Sequence, residues 1–294
     1  MAGVRDSTPP RRRHPLASVS TPFADHALAR RLEAAEGWGG VMFAEAHRRI
    51  DPSCGADWIE CGGTQAIFDG PSSPITQSFG LGLHEPVTAA TLDAVETFFT
   101  DRGAAAQHEV CPLAGVDTIA TLSTRGYLPI EVSNVMFQEV ARQTNDPRRR
   151  IRVRVIDRGE TALWTDISAR GWAPDAPEME HFMRDLGTIT VEREQTWCFL
   201  AEVDGVPGAA GVLSVRDGVA LFAGASTVPE LRHRGLQAAL LSARMRWAHD
   251  HHCDVAMMVA EAGSGSQRNA ERHGFRVAYT RTKWILDPDL RTSR

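Results

Sequence analysis

The chain has 294 residues, 43% hydrophobic and 23% charged, with a formal net charge of -5 at pH 7. That length suits two domains with an interior each, and the acidic balance offers no general attraction for nucleic acid or an anionic membrane, so a small-molecule ligand is favoured over a polyanion. Five scattered cysteines without a C-x-x-C pair argue against a disulfide framework or a zinc knuckle. No apolar run approaches the roughly 20 residues of a membrane helix, and the N-terminus lacks the apolar core of a signal peptide, so a cytoplasmic location is expected.

Residues 1–22, which include Thr8-Pro9-Pro10-Arg11-Arg12-Arg13-His14-Pro15, are rich in Pro, Arg and Ser and lack apolar periodicity, so a disordered tail is expected. A basic arm for RNA is the sharper reading of that arginine triplet, but the segment is short and has no aromatic residue before Phe23. Trp38, Trp58 and Phe68 in the first half, and Trp164, Trp172 and Trp197 in the second, read as core. The apolar pattern breaks at Thr144-Asn145-Asp146-Pro147-Arg148-Arg149-Arg150, where a turn-forming Asn-Asp-Pro marks a boundary.

Beyond it, Ile151 to Ile156 alternates apolar and basic residues, the pattern of a half-exposed strand, and helical stretches follow to about Arg193. Trp197 to Val203 and Gly208 to Val215 predict a hairpin across Asp204-Gly205, and Arg216-Asp217-Gly218 makes the next turn. Val219 to Val228 is a nearly continuous apolar run rich in small residues, which suits a strand buried on both faces and approached closely by another backbone or a ligand. Pro229 ends it. From about Arg234, Leu236, Leu240, Leu241, Met245 and Ala248 recur at spacings of three and four, marking an amphipathic helix that ends near His252, and Asp254 to Ala260 is the next buried strand.

The junction of that strand with that helix carries the chemistry. A helix N-terminus presents unpaired N–H groups and a positive dipole end to any phosphate placed there. Gly235 lets the backbone come close, and Arg232 and Arg234 add positive charge beside it. A pyrophosphate with a ribose phosphate uses all of these at once, and coenzyme A has that chemistry.

The chain also matches itself at one constant offset. Gly126-Tyr127 falls on Gly274-Phe275, and 274 minus 126 is 148; the same shift puts Ser78 on Ser226, Leu83 on Leu231, Leu92 on Leu240 and Ala114-Gly115 on Ala262-Gly263. In both halves a strand leads to a helix, a strand, a short helix ending in Gly plus an aromatic, and a final long strand. The first half matches Arg232-His233-Arg234-Gly235-Leu236-Gln237 with His84-Glu85-Pro86-Val87-Thr88-Ala89. There Pro86 lacks an N–H, Glu85 repels phosphate and Val87 replaces the glycine, so that half is expected to keep the fold without binding coenzyme A in the usual manner.

Arg232-His233-Arg234-Gly235-Leu236-Gln237 resembles the [Arg/Gln]-x-x-Gly-x-[Gly/Ala] motif of the GNAT (GCN5-related) N-acetyltransferase superfamily, found at the turn from its fourth strand to its third helix. Gln237 departs from the small residue of the pattern, so its side chain must point away from the phosphates or hydrogen-bond to them. Ser264-Gly265-Ser266-Gln267-Arg268-Asn269-Ala270-Glu271-Arg272-His273-Gly274-Phe275 resembles the family's second cofactor segment. The resemblance implies an α/β fold with a mixed sheet, built as two tandem GNAT-like acyl-CoA acyltransferase domains: a degenerate one at 23–146 and a catalytic one at 151–294. It also implies that the fourth and fifth strands splay, with the pantetheine arm between them pairing near Ser226, Thr227 and Val228. Arg232, His233, Arg234, Gly235, Leu236, Gln237, Ala238 and Asn269 complete the implied contacts.

Acyl transfer to an amine uses a general base, an oxyanion donor and a general acid. The family's acid is commonly a tyrosine four residues before the Gly-aromatic pair, and Ala270 stands there. Ser266 is the substitute hydroxyl, with the N-cap of its helix as its plainer role. Glu261 is the candidate base, against a solvated loop carboxylate, and Tyr279 is a further acid candidate, against a half-buried strand tyrosine. His249-Asp250-His251-His252-Cys253 looks like a set of metal ligands, but histidines near a helix C-terminus complement the dipole, and no metal is expected.

These readings predict an N-acetyltransferase that moves an acetyl group from acetyl-CoA to an amine by direct attack in the C-terminal domain. The alternative is a non-catalytic protein that binds coenzyme A or regulates. The acceptor is a small-molecule, peptide or protein amine, with no nucleic acid or membrane partner, and the protein is a monomer or homodimer. A nucleic-acid role for Arg11 to Arg13 and Arg148 to Arg150 ranks below both.

Overall fold

The computed structural model describes residues 23–141, 150–173 and 180–286. The expected tail at 1–22 and residues 144–149 of the expected boundary lie outside the described residues. The first half comprises α1 (His26–Ile50), β1 (Asp57–Cys61), β2 (Thr64–Phe68), β3 (Gln77–Phe79), α2 (Ala89–Thr100), β4 (Ala106–Val110), α3 (Val116–Arg125) and β5 (Leu128–Glu139). The second comprises β6 (Ile151–Val155), α4 (Thr161–Trp172), α5 (Glu180–Val191), β7 (Thr196–Val203), β8 (Val206–Arg216), β9 (Val219–Thr227), α6 (Leu236–Asp250), β10 (Val255–Glu261), α7 (Gly265–Arg272) and β11 (Arg276–Leu286).

The hairpins follow their turn chemistry. Asp204 and Gly205 take φ of 53° and 79° between β7 and β8, and Asp217 and Gly218 take 47° and 77° between β8 and β9. Two left-handed residues in succession match the twist of the flanking strands, and Asp and Gly tolerate that region. α1 begins at Asp25, whose carboxylate accepts from the Leu28 N–H at 2.9 Å.

Eleven strands form one mixed sheet in the order β1-β2-β3-β4-β11-β5-β10-β9-β8-β7-β6. The halves interlock at its centre: β5 lies between β10 and β11, and β11 lies between β4 and β5. Along the antiparallel β5–β11 pair, Val132, Ser133 and Asn134 face Thr282, Arg281 and Thr280. Arg281 is 148 residues after Ser133 (281 minus 133), so this one pair equated by the internal offset sits directly opposite, and the flanking pairs exchange (Val132 faces Thr282 and Asn134 faces Thr280), as a two-fold relation between the strands demands. The order of elements is not the same throughout: α1 stands in the place of α5, and nothing among the described residues precedes it to match β6 and α4.

The two faces of the sheet centre bury different helices. On one, Leu236, Leu240 and Leu241 of α6 pack with Phe275 onto Leu213, Phe222 and Ala256. On the other, Leu28, Leu32 and Ala35 of α1 lie over Leu221 and Met257 of the second half as well as Val135 and Phe137 of the first. Each such leucine taken out of water contributes about 1.5–3 kcal/mol, so α1 fastens the halves together. Of the aromatics expected in the core, Phe68 and Trp164 are buried, Trp38 and Trp58 pack edge to face at 6.4 Å, and Trp197 lies 4.0 Å from Trp247. Trp172 is the exception, 37% exposed at the end of α4.

Candidate active site

β9 and β10 run parallel only where Val219, Ala220 and Leu221 face Val255, Ala256 and Met257. β10 then continues to Glu261 against β5, and β9 continues to Thr227 against β8. A bulge helps to turn β9 away: Ala210 faces Ser226 but Val212 faces Ala223, and Gly224 takes a φ of 56° to absorb the extra residue. The result is a V-shaped opening in the middle of the sheet, lined on one side by the edge of β9.

The chain leaves β9 through Pro229 and enters α6 at Gly235, whose φ of 87° makes it a left-handed N-cap without a side-chain hydrogen bond to the helix. The first-turn amides of α6 therefore have no side chain of the cap competing for them. His233, at φ 63°, helps to turn the loop. Gln237 bends back, its Nε2 donating to Thr227 Oγ1 at 2.8 Å, so the side chain that departs from the motif ties α6 to the end of β9. The two arginines are also engaged within the protein. Arg232 donates to Thr227 O at 3.3 Å and to Gly171 O at 3.1 Å, bracing the loop against α4, and Arg234 points outward to Asp204 Oδ2 at 3.2 Å.

A cavity of about 600 Å³ runs from this cradle into the V. Ser226, Thr227, Arg232, His233, Gly235, Leu236, Gln237, Ala238, Ser266 and Asn269 all line it. Val228 is 2% exposed and packs beneath in the core instead, and the Ser226 hydroxyl turns to α4, donating to Ser168 O at 2.9 Å. Ser266 is not the cap of its helix: Ser264 is, its Oγ accepting from the Gln267 N–H at 3.1 Å, which leaves Ser266 in the first turn of α7 on the cavity wall. Glu261 is exposed at the end of β10, outside the lining. Sequence reasoning missed Gly171, Trp172, Arg244 and Met258, which also line the cavity. Arg244 did carry a signal, a charge on the same helix face as Leu240, Leu241 and Ala248.

A GCN5-related N-acetyltransferase from Kribbella flavida superposes with a TM-score of 0.64 at 17% identity, over 89% of this chain and 96% of that one. This chain has the GNAT fold. A tandem GNAT protein from the clavulanic acid biosynthesis pathway matches at TM-score 0.55 and 10% identity, over 90% of this chain and 97% of the other, so the tandem layout is shared as well. A GCN5-related N-acetyltransferase from Sphaerobacter thermophilus matches at 0.50 and 14% identity, over 79% and 75%. No protein-family model and no curated protein matches the sequence.

The GNAT-fold V opens on the other face of the sheet too, onto a cavity of about 240 Å³ bounded by Ala223, Gly224 and Val259. Met258 and Val259 are neighbours on β10, and successive side chains of a strand point to opposite faces, so the two cavities lie back to back where the strands part. The far cavity is walled by α1 through Glu36, Gly39, Gly40 and Phe43, and by Arg193. Burial pulls the Arg193 guanidinium down to about 10, and its Nε has no hydrogen-bond partner.

Tyr279 lies elsewhere, in a buried ionic cluster beside that wall. Its hydroxyl donates to Glu33 Oε1 at 2.8 Å, and Arg281 Nη1 reaches Glu33 at 3.2 Å and Glu36 at 2.7 Å, with its Nη2 on the other Glu36 oxygen at 2.8 Å. Arg281 Nε is 2.9 Å from Glu109 Oε2 without the alignment of a hydrogen bond. Three carboxylates thus surround one guanidinium, with Lys283 helping only at Glu109. Burial above all pushes the Glu33 carboxyl up to about 7, and burial with Glu33 nearby holds the Tyr279 phenol well above its ordinary range. The tyrosine is a structural donor here, away from the cavity on the α6 face.

The counterpart of the cradle in the first half is built differently. A cavity of about 340 Å³ is lined there by His84, Glu85, Pro86, Val87 and Asp117. α2 is capped by Thr88, whose hydroxyl accepts from the Thr91 N–H at 3.1 Å, so its first turn is already engaged by its own cap. At the C-terminal end of α6, the His251 ring stacks on Trp247 at 3.5 Å, and among the described residues no group of three or more His, Cys, Asp or Glu is placed to hold a metal.

Proposed function

We propose that this chain transfers an acyl group from a coenzyme A thioester to an amine, acetyl-CoA being the donor implied by the resemblance. The observation that carries the reading is the glycine-capped, side-chain-free N-terminus of α6 at the mouth of a 600 Å³ cavity that enters the V between β9 and β10. The first-turn amides at Leu236, Gln237 and Ala238 would hold the pyrophosphate with the helix dipole behind them, His233 and Asn269 would flank it, and the open edge of β9 near Ser226 to Val228 would pair with the amides of the pantetheine arm. When bound, the thioester supplies an activated acyl carbon. Ser266 is the hydroxyl on the cavity wall available to return a proton to sulfur, and Glu261, at the end of β10, is the candidate base reached through water.

The acceptor amine would enter from the opposite cavity, where α1 of the first half supplies the wall and Glu36 the carboxylate. In this reading, residues 23–146 are a degenerate copy whose cradle takes no cofactor, since Glu85 and Asp117 repel phosphate and Thr88 occupies the helix cap. Ala270, 0% exposed where the resemblance expects a tyrosine, favours a second reading, a protein that binds coenzyme A and regulates without turnover.

Calorimetric titration of acetyl-CoA into the intact protein tests the first step. We expect saturable binding near one per chain, lost in Gly235→Glu, which places bulk and negative charge in the cradle. Absence of binding to the wild type would overturn the reading, and a second site per chain would overturn the role given to the first half. Release of free thiol with a panel of amines then separates the enzyme from the regulator.

A further inference from the structure

Arg244 projects from the sheet-facing side of α6 and is 2% exposed. Its Nη1 donates to Val212 O at 3.1 Å and to Ala223 O at 3.4 Å, and its Nε reaches Leu240 O at 3.4 Å, so the group is held against the bulge that opens the V. Among the described residues the Nη2 has no hydrogen-bond partner, and Arg244 lines the 600 Å³ cavity beside Leu241 and Met258. No carboxylate among the described residues pairs with it, in contrast to Arg281. Burial alone pulls its guanidinium down to about 9, which leaves it charged at neutral pH, with the Phe222 ring face 4.9 Å away and no anion beside it among the described residues.

Its depth along the cavity says which anion. Arg244 is nine residues past Gly235 (244 minus 235), or about 13–14 Å along α6 at a rise of 1.5 Å per residue. A pantetheine arm has roughly the backbone length of four extended residues, about 13–14 Å, so an arm anchored at the first turn of α6 brings its sulfur level with Arg244. A plain acetyl group ends there with a methyl, which answers none of the charge. An acyl chain of two to four carbons with a terminal carboxylate reaches past the sulfur and places its oxygens against the free Nη2, in a charge-assisted hydrogen bond made stronger by the low-dielectric surroundings.

We propose that the acyl donor of this site is a coenzyme A thioester whose acyl group ends in a carboxylate, bound by Arg244 Nη2. The proposal rests on the reading that a coenzyme A thioester occupies this cavity. The acceptor does not compete for the same charge, because its cavity lies on the opposite face and is lined by Arg193 rather than Arg244.

The test is calorimetry on the intact chain with coenzyme A, acetyl-CoA, butyryl-CoA, malonyl-CoA and succinyl-CoA. Malonyl-CoA or succinyl-CoA should bind at least about tenfold more tightly than acetyl-CoA and than butyryl-CoA, the neutral control for chain length. In Arg244→Met that ratio should fall to about one, and Arg244→Lys, which keeps a charge without the fork, should keep part of it. Should Arg244→Met fail to fold, the wild-type ratios and the lysine variant still decide. Failure of coenzyme A itself to bind would overturn the functional reading and this inference together. Binding of coenzyme A and acetyl-CoA with no preference for either carboxylated thioester, or a preference that survives Arg244→Met, would overturn this inference alone.

Discussion

Gly171 sets how closely α4 lies on the cofactor side of the V. A Cβ there would meet Ser226 Cβ at 2.6 Å and the Thr227 backbone nitrogen at 2.9 Å, and the Gly171 carbonyl is also the acceptor for Arg232. In an ordinary helix, Gly→Ala gains about 1 kcal/mol; against a strand backbone that cannot yield, overpacking costs about 1–3 kcal/mol. Gly171→Ala is therefore expected to lower stability by up to about 2 kcal/mol in urea unfolding, and to weaken acetyl-CoA binding because the edge of β9 moves. A gain in stability would show that α4 does not set the width of the V. The neighbouring side chains show what can be read from a motif and what cannot. The glycine at 235 was legible because a left-handed cap at a strand-to-helix turn has few substitutes. The directions of Arg232 and Arg234 were not, because Gly171 and Asp204 are 61 and 30 residues away in the chain.

At the scale of elements, α1, β4 and β11 meet in the cluster of Glu33, Glu36, Glu109 and Arg281. The folded Glu33 carboxyl, at about 7, lies above its ordinary 4.5, so the native state holds an additional proton between those two values. The stability this contributes is complete below about 4.5 and is lost as pH rises through about 7. Glu33→Gln should flatten that slope and leave the protein more stable than wild type at pH 8, on the order of 1–3 kcal/mol given the coupling among the carboxylates. Urea midpoints measured from pH 4.5 to 8 check this, and equal slopes for variant and wild type would remove Glu33 as the titrating group. The elements themselves were largely legible. The Asp-Gly turns, the apolar run of β9 and the stripe of α6 were all visible, because each is set by neighbours within a few residues. Two details lie beyond such local signals: Ser264 rather than Ser266 caps α7, and the Tyr279 hydroxyl is engaged by Glu33, 246 residues earlier in the chain.

Across the whole molecule, each half's last strand is seated in the other half, β5 against β10 and β11 against β4. Neither half can keep its sheet when separated, since each would expose the strand edges the other covers. The intact protein is accordingly expected to melt in one calorimetric transition, with calorimetric and van't Hoff enthalpies in agreement, whereas a fragment beginning at residue 150 gives none. Two resolved transitions would contradict the interlocked sheet. The constant offset of 148 announced the repeat, and turn, cap and periodicity signals announced the strands and helices, because those depend on chemistry close along the chain. The exchange of β5 and β11, the burial of Arg244 beneath the V and the wall that α1 makes for the far cavity arise from contacts between distant segments. No local pattern encodes which strand edge a final strand will find or which charge a folded helix will press against the sheet, and only the assembled sheet decided both.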